Sequence, residues 1–356
     1  MKSLTAAVAL AIACTLIGPR PAQAWHKEGH MAVALIAYRK LDEGDQKKVL
    51  AVLKEHPHYA VYLAAEKPVD APLDEWVVMR ASDWPDWIKS PRSAGPAGAK
   101  IKTQFGHSNW HFADKAILRL DDASPEEKEQ ITQNSKKNGG EVLSVLPILL
   151  DGVAGKPVDV KLNKFVLAAK TETTLTNAEA RAIALCWILH LVGDIHQPLH
   201  AASMFSKDLP KGDAGGNDFL VHWQKRAVDL HSIWDGAFGW DDLQGPNDSE
   251  YTVVNALVRD LGSRIKPTDA AVQEMSLAAW ADESFALAKS KAYLLTDDGK
   301  MLPGVFVGFH EHKPHASEIS PLPVGYARIV QDTAEQRVTL AGLRLGTVLK
   351  GLVKDD

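Results

Sequence analysis

The chain is poor in cysteine, with only Cys14 and Cys186 among its 356 residues. Cys14 lies in an N-terminal segment that we expect to be removed. A lipoprotein attachment site at Cys14 is disfavoured because the Leu that usually stands three residues before such a Cys is missing. Cys186 is then left without a partner for an intramolecular disulfide. It stands among apolar residues, so we interpret it as a core side chain. A chain of this length buries enough apolar surface to fold without a disulfide, even outside the cell.

The chain also lacks an excess of basic residues. It carries 40 Lys and Arg against 45 Asp and Glu, which gives a formal net charge of −5 at pH 7. Duplex nucleic acid is usually bound through a broad basic surface that neutralises phosphates. The charge balance provides no such surface, so any binding of nucleic acid has to depend on a local site.

The longest apolar run at the N-terminus, residues 4–18, is too short to span a membrane. Lys2 precedes this run, and the small residues Ala22-Gln-Ala24 follow it as a cleavage site. We therefore predict that residues 1–24 are a signal peptide, that Trp25 is the first mature residue, and that the protein is periplasmic or secreted. No pattern in the sequence indicates a membrane span or a protein partner.

Strand patterns are scarce in the rest of the chain, and apolar residues recur at steps of three and four. We predict one all-α domain over residues 25–356, mostly helical with long loops, without an internal repeat or a linker. Thr176 and Glu179 form a capping-box pattern that opens a central helix. Other predicted helices cover residues 45–54, 73–89 (which Pro85 should break or kink), 251–265, 270–291 and 330–352. Residues 90–98 are predicted to be a loop, and residues 108–114 to be extended.

The central helix carries a His-x3-Asp pair, His190 and Asp194, at its end. Residues four apart lie above one another on one face of a helix. The neighbouring residues are apolar, and a carboxylate buried there costs several kcal/mol unless it is paired or bound to a cation. A single pair of this kind is weak evidence for a metal site, because it also forms ordinary hydrogen bonds on helix surfaces.

A second His-x3-Asp pair, His231 and Asp235, follows about forty residues later and strengthens the interpretation as a metal site. Further candidates stand beside apolar sequence at His30, Asp86, His111 and His200. The side chains of His and Asp are suitable zinc ligands, and so is the free amine of a chain's first residue. Eight side chains are too many for one tetrahedral ion and suit two or three ions with a bridging carboxylate. Sites with several metals are typical of phosphoryl-transfer enzymes.

At this point the chain resembles the zinc-dependent single-strand nucleases of the mung-bean-nuclease type (the S1 and P1 nucleases). The resemblance covers the whole predicted mature chain and rests on the order and spacing of six motifs. These are Trp-x4-His (Trp25, His30), Ala-Ser-x-Trp-x-Asp (Asp86), His-Phe-x-Asp (His111 to Asp114), His-x3-Asp-x-x-Gln-Pro-Leu-His (His190 to His200), Gly-Gly-Asn (Gly215 to Asn217) and Leu-His-x-x-Trp-Asp (His231 to Asp235).

The resemblance implies a mostly helical fold, related to that of zinc phospholipase C, with three zinc ions. It assigns Asp86, His111, His190 and Asp194 to one ion. It assigns the Trp25 amine and carbonyl, His30 and a bridging Asp194 to a second, and His200, His231 and Asp235 to a third. The Trp25 amine exists only after cleavage of residues 1–24, so an uncleaved chain should lose the second ion.

The resemblance also implies an activity: endonucleolytic hydrolysis of single-stranded DNA or RNA to 5′-phosphorylated products, with removal of 3′-phosphates from 3′-nucleotides. Asp86 and Asp194 would act with the metals, and Phe112 and Asp114 match positions that hold a base. Stacking on one ring is worth about 1–3 kcal/mol and needs an unpaired base. Lys89 stands where the family usually has Arg, and it keeps the positive charge but loses the bidentate grip on phosphate. A transition-state role for Lys89 is therefore a hypothesis.

Several polar residues near these motifs have simpler interpretations. Asp83 is expected to be a helix-surface acid, since Asp86 stands at the family's distance from the Trp. His196 is expected to face away from the ligands and to make a supporting hydrogen bond. Asn217 holds a loop or touches phosphate, with equal weight. The His310, His312 and His315 tract is interpreted as a solvated loop because it has no apolar surroundings.

Three other functions remain open at this level, and one of them is a 3′-nucleotidase of the same fold with little endonuclease activity. A zinc-dependent phospholipase C shares the N-terminal Trp and a similar arrangement of three zinc ions, although its last ligand is usually Glu rather than an Asp such as Asp235. A non-catalytic exported zinc-binding protein would contain the metal and show no phosphodiesterase activity. The Gly-Gly-Asn and Ala-Ser-x-Trp-x-Asp motifs favour the nuclease.

Overall fold

Helices form most of the described chain in this computed structural model, which confirms the predicted all-α class. The model describes residues 25–89, 98–156, 161–168, 171–238, 248–306 and 314–352. The helices are α1 (Lys27–Tyr38), α2 (Glu43–Lys54), α3 (Leu73–Trp87), α4 (Gly98–Phe105), α5 (Pro125–Lys137), α6 (Val142–Val153), α7 (Leu162–Phe165), α8 (Asn177–Asp194), α9 (Leu230–Asp235), α10 (Glu250–Arg264), α11 (Asp269–Gln273), α12 (Leu277–Leu287) and α13 (Tyr326–Leu352). The predicted signal peptide, residues 90–97 of the predicted loop, and His310 and His312 lie outside the described residues.

Five short strands accompany the helices in the described ranges. They are β1 (Lys115–Leu118), β2 (Ala202–Phe205), β3 (Phe219–Trp223), β4 (Arg226–Asp229) and β5 (Val305–Phe306). β1 pairs with β2 in parallel, and β3 lies between β4 and β5 with antiparallel pairing on both sides. None is longer than five residues, so they connect helices and do not form a layer of the fold.

Helix α8 is the centre of the core. It begins at the predicted capping box, where the Glu179 amide donates to Thr176 Oγ1 (3.2 Å) and the Thr176 amide donates to the Glu179 carboxylate (2.8 Å). Every residue from 182 to 194 is buried, because α1, α2, α3, α6, α7 and α13 all pack against α8. The polar side chains His190 and Asp194 therefore lie inside the largest apolar cluster of the described residues.

Pro85 does not break the helix. We expected Pro85 to break or kink it, and because α3 runs from Leu73 to Trp87 with Pro85 inside, the break is excluded. Proline removes one N–H donor from the helix, and here it does so only in the last turn. The Ile88 amide still donates to the Trp84 carbonyl at 3.1 Å, so the turn that carries Asp86 is complete.

Two other segments also differ from their predictions. Residues 270–291 are not one helix: α11 ends at Gln273, and Ser276 caps a new helix by accepting from the Ala279 amide at 3.3 Å. Residues 108–114 are not fully extended, since residues 108–111 form a 3-10 turn. The stacking of His107 on Trp110, with ring centroids 3.7 Å apart, holds this turn.

Within the part of the chain that the structure describes, no helix is both long enough and apolar enough to cross a bilayer.

Candidate metal centre

His190 and Asp194 in the last turn of α8 form the middle of the site. Both side chains are fully buried, and His190 Nε2 lies 3.3 Å from Asp194 Oδ2. The predicted spacing on one helix face is therefore observed. The helix ends at Asp194, and the chain then turns into a 3-10 segment (Pro198–Ala201) that carries His200.

Asp86 and His111 meet His190 from two other elements, α3 and the 108–111 turn. His111 Nδ1 lies 3.0 Å from His190 Nε2 and 2.8 Å from Asp194 Oδ2. Asp86 Oδ1 lies 3.6 Å from His190 Nε2. Asp86, His111 and His190 each offer one ligand atom within 4.8 Å of the others, so this group, with Asp194 beside it, can hold a cation.

His30 of α1 forms a second group with His190 and Asp194. Its Nε2 lies 3.4 Å from Asp194 Oδ1, and its ring stacks on that of His190 with centroids 3.8 Å apart. The resemblance made Asp194 the bridge between two ions; in the structure both His190 and Asp194 stand between the first two groups. The Trp25 side chain is buried beside them, and its Nε1 donates to the Gly193 carbonyl at 3.1 Å.

His200, His231 and Asp235 form a third group. His231 Nε2 lies 3.2 Å from His200 Nε2 and 3.4 Å from Asp235 Oδ2. Helix α9 carries the last two residues on one face and is capped by Asp229, which accepts from the Ser232 amide at 2.7 Å. His200 Nδ1 lies 4.0 Å from Asp194 Oδ1, so the third group borders the first two.

Backbone carbonyls orient three of the imidazole rings. Nδ1 of His190, His200 and His231 lies 2.7, 2.8 and 2.7 Å from the carbonyl oxygens of Ser82, His111 and Gly215, respectively. A carbonyl only accepts, so Nδ1 carries a proton, and in the neutral ring Nε2 then presents its lone pair to the interior of the group. This is the tautomer that a metal ligand needs.

Several buried polar atoms at the centre lack a hydrogen-bond partner among the residues that the structure describes. They include both ring nitrogens of His30, Nε2 of His111 and Oδ1 of Asp194. Buried polar atoms are nearly always satisfied in native proteins, and exceptions call for an explanation such as an ion. Imidazole nitrogens and carboxylate oxygens without sulfur are a donor set that suits zinc in enzymes. The residues present therefore fit bound cations.

Burial favours the neutral ring in three of the histidine ligands, whereas the pKa of His190 is raised because the Asp194 and Asp86 carboxylates outweigh its desolvation. Desolvation lowers the pKa of His30, His111 and His200, which favours the neutral ring that binds metals. Desolvation raises the pKa of Asp194 and of Asp235 above the usual carboxyl range. A nearby cation would favour the ionised carboxylates again.

Lys89 lies on the side of the first group. Its ammonium nitrogen is 2.7 Å from Asp86 Oδ1, and the side chain is only 12% exposed. One positive charge therefore stands beside a carboxylate that the resemblance assigns to zinc. The ammonium is close enough to the group to act on an anion bound there.

The predicted base-holding residues border the third group. The Phe112 ring lies tilted against the His200 ring, with centroids 4.6 Å apart. Asp114 adopts a left-handed backbone (φ +46°), and desolvation, followed by the nearby Asp213 charge, raises its pKa to about 7. Asn217 Nδ2 donates to the Ala214 carbonyl at 2.6 Å, so of its two weighed roles the structure shows a loop contact.

Asp83 is not the helix-surface acid that we expected. It is only 5% exposed and accepts a hydrogen bond from the Tyr62 hydroxyl. Tyr62 belongs to a π-helical turn (Tyr59–Leu63) that packs on α3. The prediction was wrong because a segment twenty residues earlier covers this face of the helix.

Four histidines outside the three groups make contacts of other kinds. His196 faces away from the ligands: its Nδ1 donates to the Val192 carbonyl (2.7 Å), and Arg344 Nη1 donates to its Nε2 (2.9 Å). His107 and His222 each contact a backbone carbonyl through one ring nitrogen, at 3.3 and 3.2 Å. His315 precedes a short 3-10 turn, whose Glu318 carboxylate accepts from the His315 amide at 2.7 Å.

Sequence reasoning missed some residues that position the ligands. Gly193 allows His30 to approach α8, because a Cβ there would lie 2.9 Å from His30 Nδ1. Asp213 is fully buried and accepts from the Met204 amide (2.8 Å) and the Tyr293 hydroxyl (2.6 Å). It thereby anchors the glycine-rich loop that offers the Gly215 carbonyl to His231. The position of Gly193 directly before Asp194 was the only indication of its role in the sequence. For Asp213 the only indication was its place in the glycine-rich loop.

Comparison with known proteins adds a family match. A family model described as S1/P1 Nuclease matches residues 25–354. Endonuclease 1 of Arabidopsis thaliana is 28% identical over 185 residues, which cover 49% of this chain and 50% of that protein. Endonuclease 2 of the same plant is 39% identical over 70 residues (20% and 22%). Nuclease S1 of Aspergillus oryzae is 40% identical over 52 residues (15% and 15%). The chain thus matches half or less of the length of each of these relatives.

Proposed function

Because the chain belongs to the S1/P1 nuclease family, we propose that it is an exported, zinc-dependent phosphodiesterase. Its proposed substrates are single-stranded DNA and RNA, which it cleaves internally to leave 5′-phosphates, and 3′-nucleotides, from which it removes phosphate. The observation that carries the proposal is the set of three buried His and Asp groups that meet around Asp194. Those groups lie in one site and combine side chains from six segments of the fold.

We assign the ligands as the resemblance implies. Asp86, His111, His190 and Asp194 hold one zinc ion; His30, Asp194 and the Trp25 amine and carbonyl hold a second; His200, His231 and Asp235 hold a third. Zinc in such a site polarises a phosphate and makes water a better nucleophile near neutral pH. The proposed Trp25 amine ligand would exist only after cleavage before residue 25, so the second ion and the proposed export depend on the same cleavage.

The protein side chains orient the substrate beside this site. The Phe112 ring offers a face on which an unpaired base stacks, and Asp114 offers hydrogen bonds to the same base. A paired base has no free face, so this contact favours single strands although the chain carries a net negative charge. The Lys89 ammonium stabilises negative charge on the phosphate in the transition state.

The test is an activity comparison on purified, processed protein. We expect release of 5′-phosphorylated products from single-stranded DNA or RNA and of phosphate from a 3′-nucleotide, much slower cleavage of duplex DNA, and no cleavage of phosphatidylcholine. Chelation should abolish both activities, and added zinc should restore them. Cleavage of the lipid without release of nucleotides would replace the nuclease with a phospholipase C. Zinc content with no hydrolysis of any substrate would indicate a non-catalytic binding protein.

A further inference from the structure

The two carboxylate oxygens of Asp235 have different surroundings. Oδ2 lies 3.4 Å from His231 Nε2 and faces the third group. Oδ1 accepts a hydrogen bond from Gln197 Nε2 at 2.7 Å. One oxygen is therefore engaged by an amide, and only the other is directed at the position of an ion.

Gln197 is itself fixed by its own backbone and by its neighbours. Its side chain is fully buried, and Oε1 accepts from the Leu199 amide. Because a backbone amide only donates, this contact determines which end of the Gln197 amide is oxygen and directs its NH₂ group at Asp235. In the backbone, the N–H of Gln197 donates to the Asp194 carbonyl at 2.9 Å, and the carbonyl of Gln197 accepts from the N–H of His200 at 3.1 Å. One residue thus connects Asp194, His200 and Asp235.

Two buried arginines, Arg337 and Arg344, and the partly exposed Glu283 hold the outer side of this segment. Arg337 Nε donates to the His196 carbonyl (3.1 Å), and Arg344 Nη1 donates to His196 Nε2 (2.9 Å). Glu283 accepts from both arginines at 2.7–2.8 Å. Arg337 and Arg344 are 5% and 0% exposed, so residues 195–197 have little freedom to move. We therefore expect the backbone to stay in place when the Gln197 side chain is replaced.

We propose that Gln197 is a positioning residue for the third metal ion. It restricts Asp235 to one ligand oxygen, and it couples the third group to the bridging carboxylate through the backbone of Asp194 and His200. The inference rests on the proposed binding of three zinc ions. Groups that hold a metal ligand from behind typically change metal affinity by about 10- to 100-fold when they are removed.

The first experiment measures zinc content against free zinc concentration. Wild-type processed protein, Gln197→Met and a control are equilibrated in a graded series of zinc buffers and analysed for bound metal. Methionine has a similar length but offers no amide. The control is Gln46→Met, because Gln46 on α2 also donates its amide to a backbone carbonyl, that of Tyr38 at 3.1 Å, in a partly buried position. We expect one of the three ions to bind about 10- to 100-fold more weakly in Gln197→Met only.

A double-mutant cycle separates action through Asp235 from a general loss of structure. In an Asp235→Ala background the third ion is already weakened, so adding Gln197→Met should change zinc affinity by less than about twofold. Equal losses in both backgrounds would overturn the proposal. If Gln197→Met does not fold, Gln197→Asn is used instead, since it keeps the amide on a side chain one methylene shorter.

The outcomes distinguish the two levels of inference. If wild-type protein binds fewer than three zinc ions at saturation, the proposed zinc content fails, and the role of Gln197 fails with it. If wild-type protein binds three ions and Gln197→Met binds all three with wild-type affinity, only the proposal for Gln197 is overturned.

Discussion

Gly193→Ala tests whether the close approach of α1 to α8 builds the second group. An alanine Cβ at this position would lie 2.9 Å from Nδ1 and 3.2 Å from Cε1 of His30. Contacts this short force a neighbour to move. The His30 ring cannot move freely, because it is fully buried and stacks on His190 with centroids 3.8 Å apart.

The expected magnitude follows from two opposing effects. Replacing a helical glycine with alanine lowers the entropy of the unfolded chain and stabilises a protein by about 0.5–1 kcal/mol. Overpacking a filled interior costs about 1–3 kcal/mol. We therefore expect Gly193→Ala to lower the free energy of unfolding by about 1–2 kcal/mol. A shift of His30 by a few tenths of an ångström also exceeds the roughly 0.2 Å tolerance of metal–ligand distances, so the protein should bind one zinc ion more weakly.

Gly262→Ala is a matched control for this substitution. Gly262 also lies in a helix, in the last turn of α10, but a Cβ there would meet no atom within 4 Å. The entropy effect is shared by the two variants, so the difference between them measures the contact with His30. We expect Gly262→Ala to gain about 0.5–1 kcal/mol and to keep its zinc. Urea denaturation of metal-free protein and elemental analysis of zinc-loaded protein give both quantities. If Gly193→Ala is stabilised as much as Gly262→Ala and keeps its zinc, the reasoning is refuted.

Three further predictions address the charge, the base contact and the N-terminus of the site. Lys89→Ala should lower kcat on a 3′-nucleotide by about 10²-fold or more, as the loss of a group that stabilises charge in the transition state does. Lys89→Arg should retain or raise kcat. An unchanged kcat in Lys89→Ala would exclude a role for Lys89 in the transition state. The pKa of Asp114 is about 7 in the folded protein against about 3.9 in an unfolded chain. Between these values the folded state holds a proton that the unfolded chain has lost. The stabilisation from that proton is therefore lost as pH rises from about 4 to above 7. Asp114→Asn should therefore flatten the fall in unfolding free energy measured between pH 5 and pH 8, and an unaltered slope would contradict the assignment. Protein made with an additional Met before Trp25 should contain one zinc ion fewer than processed protein by elemental analysis, and equal contents would show that the Trp25 amine is not a ligand.

The sequence predicted the central helix and the ligands that it carries for a simple reason. A helix segment that is apolar all round needs an explanation for the ionisable residues inside it, and His190 and Asp194 stand at the spacing that puts them on one side. The capping box at Thr176 and Glu179 was equally local, because its two hydrogen bonds join residues three apart. Features of this kind depend on neighbouring residues alone.

Contacts between distant segments could not be predicted in this way. Asp83 has the composition and the helical spacing of a surface acid, and only the packing of the Tyr59–Leu63 turn on α3 buries it. The division of residues 270–291 into two helices also went unpredicted, although Ser276 is a typical N-cap residue, because the apolar spacing continues across the break. In both cases the residue types were compatible with either structure, and packing decided between them.

The orientation of the ligands depends on atoms that every residue possesses. Three rings are held by the carbonyl oxygens of Ser82, His111 and Gly215, and no side-chain pattern distinguishes those carbonyls from any others. His111 contributes twice, because its ring belongs to the first group and its carbonyl orients His200 of the third. A displacement of the 108–111 turn would therefore disturb both groups at once. The site is built as one unit because a single backbone segment supplies a ligand to one group and the support for another.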